Sequence, residues 1–60
     1  MKYVEIEKDN VVATLTEGYG VIICDFPTMR MIDASTVKID TIKYFINKDG
    51  VKFFKVIDSE

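Results

Sequence analysis

Apolar and polar positions alternate with period two through the first third of the chain. Val4 and Ile6 fall on one side while Tyr3, Glu5 and Glu7 fall on the other, the pattern of a half-buried strand. Asp9-Asn10 tolerate left-handed backbone and read as a turn. From Val11 the alternation resumes, with Val11, Ala13 and Leu15 against Val12, Thr14 and Thr16. A two-residue loop at Asp9-Asn10 sets Ile6 opposite Ala13 and Val4 opposite Leu15, so both strands present the same side to a core. Glu17-Gly18-Tyr19-Gly20 is a turn, because its glycines accept positive φ. Residues 21–26 follow as a nearly continuous apolar run, which suggests a central strand covered on both faces. Pro27 cannot donate to a ladder and ends that strand.

Beyond Pro27 the pattern is weaker. Met29, Met31 and Ile32 suit a short strand, and residues 33–36 suit a turn or a helix N-cap. Residues 37–46 admit two readings. Val37 and Ile39 alternate at odd positions and Ile42, Tyr44 and Ile46 at even ones, a change of parity that a bulge near Asp40-Thr41 would absorb. A helix starting at Asp33 or Ser35 would instead place Ile39, Ile42 and Ile46 on one face. The many β-branched residues tip the reading towards strand. Asn47-Lys48-Asp49-Gly50 is the strongest turn signal, and residues 51–58 form the last strand. The expectation is a single all-β domain over residues 1–60, a small meander of about five strands closing as a barrel or half-sandwich, with one short helix within 33–46 as the variant.

Composition adds a constraint. Sixty residues at 6.9 kDa make a thin core, and domains of this size usually gain stability from disulfides, metals or self-association. Cys24 is the only cysteine and there is no histidine, so neither an internal disulfide nor the usual zinc or iron–sulfur ligand set is available. Self-association remains, and a homo-oligomer is expected. Eight basic against ten acidic residues give a net charge of −2, unlike a general nucleic-acid binder. The charge is uneven: Lys43, Lys48, Lys52 and Lys55 stand against Asp49 alone in residues 43–55. The longest apolar run, Val21-Ile22-Ile23-Cys24, is far short of the roughly 20 residues of a membrane span. No membrane contact is expected, and a lone thiol in an apolar run points to the cytoplasm.

Catalytic machinery is hard to assemble from these residues. Without histidine there is no Ser–His or Cys–His pair, and Cys24 lies between apolar Ile23 and anionic Asp25, which disfavour a thiolate. Glu5 and Glu7 fall on the expected solvent face. The chain is therefore read as a non-enzyme without cofactor or metal. The one constellation with binding character is the C-terminal segment, where Lys43, Tyr44 and Phe45 face Lys52, Phe53, Phe54 and Lys55 across the turn. A two-residue loop pairs Phe45 with Phe54 and a three-residue loop pairs it with Phe53. In both, a Phe pair rimmed by lysines occupies one side. Burial of that pair, in the fold or between subunits, is the leading reading of it. Tyr19 at a turn tip and Arg30 between Met29 and Met31 are further candidate contacts.

Three fragments, residues 15–18, 20–23 and 37–39, resemble pieces of the tryptophan-sensing RNA-binding attenuation proteins, small all-β subunits that assemble into rings. Lys38 matches the lysine of that family's Lys-x-Arg strand motif, but Asp40 stands where the arginine belongs, and the Thr/His-rich tryptophan-binding segment has no counterpart. The resemblance implies only a β-rich homo-oligomer. The function expected is that of a self-associating interaction or regulatory protein, a small regulator or inhibitor. It would bind a protein partner through an edge strand or through the segment bearing Lys43, Phe45, Lys52, Phe53, Phe54 and Lys55. The alternative is single-stranded RNA on that same segment, with bases stacked on its aromatics.

Overall fold

A computed structural model describes residues 2–57. Four strands, β1 (Lys2–Ile6), β2 (Gly20–Asp25), β3 (Arg30–Asp33) and β4 (Val51–Ile57), form one antiparallel sheet in the order β1-β4-β2-β3. Two short helices, α1 (Val11–Thr16) and α2 (Ile39–Ile46), connect β1 to β2 and β3 to β4. Each connection returns to a strand two places away, so β4 lies between β1 and β2, and β2 lies between β3 and β4. The result is two interlocked split β-α-β units. Short 3-10 turns at Lys8–Asn10, Phe26–Thr28 and Ala34–Thr36 complete the path.

Both helices pack on one face. Val11 from α1, Ala34 from the turn before α2, and Ile42 and Phe45 from α2 meet Val21, Ile23 and Phe53 from the sheet. Ile6, Leu15, Ile32, Val37, Ile46 and Val51 pack around them. Alternation in β2 then decides which residues are sealed: Val21, Ile23 and Asp25 point to the helices, while Gly20, Ile22 and Cys24 point the other way.

The expected five-stranded all-β meander becomes four strands and two helices, an open antiparallel sheet with helices on one face and not a closed barrel. Residues 11–16 are α1, so no hairpin joins them to β1; Ile6 lies opposite Phe53 and Val4 opposite Lys55. Thr14 explains the difference. Counted as polar, it supports alternation. In the fold it is buried beside Val11, with Leu15 against the same core, which is helical spacing. Its hydroxyl is satisfied locally by donating to the Asn10 carbonyl at 2.7 Å, as that of Thr16 does to Val12 at 2.9 Å.

Residues 39–46 are helical and the strand reading is corrected, but the helix begins at Ile39 and not at Asp33 or Ser35, since Val37 and Lys38 are extended. The buried face is Ile42 and Phe45 with Ile46 against the core, while Ile39 is 48% exposed. Asp33 opens the preceding turn, its carboxylate accepting from the Ser35 backbone N–H at 3.0 Å and hydroxyl at 2.8 Å. Other expected features are present. Residues 20–25 form a central strand, β3 follows the Pro27 turn, and Gly18 and Gly50 occupy their turns with φ of 97° and 81°. Strand β4 is described to Ile57, and Asp58, where the last strand was expected to end, lies outside the described residues.

Candidate interaction surface

Among the described residues, no helix lies on the second face of the sheet. From the register, its residues form three rows across the strands: Tyr3, Val56 and Gly20; then Glu5, Phe54, Ile22 and Asp33; then Lys52, Cys24 and Met31. Phe26 continues the β2 column. Tyr3, Ile22, Cys24, Phe26, Met31 and Phe54 line a shallow apolar concavity of about 330 Å³. Tyr3, Phe26 and Met31 are 58%, 51% and 74% exposed, so this apolar surface is open to solvent. Glu5 and Lys52 form an exposed ion pair at 3.3 Å beside it.

The end of this surface is formed by the β2–β3 connection. Cys24, Asp25, Phe26, Met29, Arg30 and Met31 line a smaller concavity of about 180 Å³. Met29 projects from the tip with a left-handed backbone (φ 58°, ψ 40°), which costs a non-glycine residue roughly 1–2 kcal/mol. Asp25 anchors the turn beneath it. Its Oδ2 accepts from the Thr28 hydroxyl at 2.9 Å and from the Lys48 ammonium at 2.8 Å, while its Oδ1 is buried without a hydrogen-bond partner among the described residues. The Lys48 hydrogen bond, with smaller help from Thr28 and Arg30, outweighs burial and holds the Asp25 carboxyl below its ordinary range; Lys48 is raised in return. The Cys24 thiol is pushed up by burial, so it packs as a small apolar group and not as a thiolate.

The residues singled out from the sequence are distributed over the whole molecule. Phe45 and Phe53 are core residues, 8% and 2% exposed, and Phe45 meets Tyr44 edge-on with centroids 5.2 Å apart. Neither pairing of Phe45 with Phe53 or Phe54 exists as a strand contact, because Phe45 is in α2 and β4 pairs with β1 and β2. Lys43 is exposed on α2. Lys55 lies opposite Val4 and Val21 on the helical side, its ammonium 4.3 Å from the Tyr19 ring centroid. Arg30 starts β3 on the rim of the smaller concavity. Of the eight, only Lys52 and Phe54 share the uncovered face. Tyr3, Ile22, Cys24, Phe26 and Met31 were missed as a group. Each was visible as an apolar residue, but only the strand order puts them together.

Compared with protein-family models, with curated proteins and with solved structures, the chain finds no match in any of the three. Lys38, the residue in common with the ring-forming attenuation proteins, is the N-cap of α2 and not part of a strand. No helix among the described residues is long and apolar enough to cross a membrane.

Proposed function

We propose that this protein is a non-enzymatic interaction module whose working surface is the helix-free face of its sheet. One observation carries the reading: Tyr3, Phe26 and Met31 lie exposed, with the partly buried Ile22 and Phe54 between them, as one apolar surface on the side of the sheet away from the helices. Aromatic and methionine side chains of this kind dominate protein contact surfaces, since they bury much area at low entropic cost. The role of a small regulator or inhibitor acting on a protein partner fits this surface. A reducing compartment such as the cytoplasm suits the free Cys24.

The lysine-rich face expected for RNA is not assembled in one place. Lys43 and Lys55 lie on α2 and on the helical side, which leaves Lys52 among Glu5 and Asp33 on the open face. Such a surface offers aromatics for stacking but little to hold phosphates. A protein occupant is therefore favoured.

A photo-crosslinking side chain at position 31, compared with one at the exposed position 44 of α2, tests the surface. Crosslinked protein species from position 31 and none from position 44 are expected. Equal yields from the two positions, or none from 31, would sink the reading.

A further inference from the structure

The uncovered face has the dimensions and charge pattern of one half of a symmetric sandwich, and we propose that its occupant is a second copy of this chain. The inference rests on the interaction reading above and names the partner. Area is the first argument. Tyr3, Phe26, Met29 and Met31 are 58%, 51%, 86% and 74% exposed. With the half-buried Ile22, Phe54 and Val56, and taking about 200 Å² for a large side chain, they offer roughly 600 Å² per copy. Two such faces bury at most roughly 1,200 Å² in total, at the lower limit for a specific interface. The expected dimer is weak and reversible.

Shape is the second argument. A sheet face is a broad surface that another sheet matches at about 10 Å separation, and two faces of one kind bring equal areas together. Consider a two-fold axis running across the strands, between the row of Glu5, Phe54 and Ile22 and the row of Lys52 and Cys24. It sets Cys24 of each copy over Ile22 of the other. Phe26 of each copy comes over Gly20 of the other, the position on this face with no side chain.

Charge is the third. The same operation carries Lys52 of one copy to the Phe54 position of the other, next to Glu5. The exposed Glu5–Lys52 pairs of two copies then join into a ring of four alternating charges. Self-complementarity of this kind is what a two-fold contact requires, and a foreign partner has no such constraint to meet.

The full chain should sediment as a monomer when dilute and as a dimer as concentration rises through the micromolar range. Met31→Glu places a charge on β3 where the same axis sets position 31 over Asp33 of the other copy, and Gly20→Lys fills the seat of Phe26 with a charged side chain. Gly20 is suited to the test because an added Cβ meets Val56 at 3.6 Å, an ordinary contact. Each substitution should weaken dimerisation by at least about tenfold with unchanged circular dichroism, while Tyr44→Glu on α2 leaves it unaltered. A monomer at every concentration, or a dimer indifferent to both face variants, overturns the proposal. If the purified chain stays monomeric while position 31 still crosslinks to other proteins, the second-copy assignment falls and the interaction reading stands. Loss of the position-31 crosslinks as well would remove both.

Discussion

Phe53 and Phe54 are neighbours in sequence and have opposite roles. Phe53 is 2% exposed between the sheet and the helices, opposite Ile6 and Ile23. Phe54 faces the other way, opposite Glu5 and Ile22, where it lines an open concavity. One face of this sheet is a core, and the other has the composition of a core without the cover. Among the described residues the two helices are the elements that cover the sheet, and both lie on the same side. The teaching is that apolar content in a small domain does not translate into a larger interior. Beyond what one layer of helix can cover, it becomes surface.

The sharpest way to break the comparison is to truncate each phenylalanine in turn. Phe53→Ala should cost about 3–5 kcal/mol, through lost burial and the cavity left behind. That matches the few kcal/mol a core of this size supplies, so the variant should be largely unfolded at 25 °C. Phe54→Ala should cost less, about 1–2 kcal/mol, since part of its ring is already in water. Urea unfolding followed by far-ultraviolet circular dichroism measures both. Equal losses would mean that the second face is as sealed as the first.

A smaller contrast lies in the turns that lead into the two central strands. Gly50 precedes β4 with φ at 81°, and a Cβ there would lie 2.9 Å from Cγ of Pro27 and 3.1 Å from its Cδ. Gly18 precedes β2 with φ at 97° but has nothing within 4 Å of an added Cβ. Both alanine variants carry the left-handed backbone cost, and only Gly50→Ala adds the clash with the proline ring. Gly18→Ala should destabilise by about 1 kcal/mol and Gly50→Ala by about 2–3 kcal/mol. Thermal melts rank the pair, and the reverse order would refute the packing of Pro27 against this turn.

How much was legible follows from the same two-sidedness. Features set by local chemistry were read directly: the turns at Gly18 and Gly50, the end of β2 at Pro27, and the turn that Asp33 opens. The central position of β2 was legible from its continuous apolar run, but the cover on both faces inferred from that run was not there. Period-two alternation misled at residues 11–16, because Thr14 is polar by type and buried by position, with its hydrophilic atom bonded to its own helix. At residues 39–46 the β-branched content argued for strand, and burial of Ile42, Phe45 and Ile46 against the sheet overrode it. The candidate surface was the least legible part. Lys52 and Phe54 join Tyr3, Ile22 and Met31 only through the pairings of β4 with β1 and β2 and of β2 with β3. Those pairings span up to most of the chain, and no local pattern encodes them.

Each face also has its own ion pair, and the pair on the covered face should govern how stability responds to acid. Glu5 and Lys52 are both more than half exposed at 3.3 Å, so water and salt leave their attraction worth less than about 0.5 kcal/mol. Asp25 is on the same side as Val21 and Ile23, with its carboxylate 2.8 Å from Lys48 and 4% of its side chain exposed. Because the folded protein holds the Asp25 carboxyl below its ordinary range, the unfolded chain takes up the proton first as pH falls. The stabilisation is therefore complete above the ordinary aspartate value of about 3.9 and is lost as pH drops through the lower folded value. Lys48 works in the opposite sense, its contribution complete below its ordinary range and lost as pH rises through the raised folded value. Asp25→Asn keeps the shape and removes the charge, so its melting temperature should fall less steeply than that of the parent below about pH 4. Glu5→Gln should leave the steepness of the parent's acid limb almost unchanged. If the two variants exchanged these profiles, the open face would be the one on which charge is held away from water, and the division of the sheet into a sealed side and a contact side would fail.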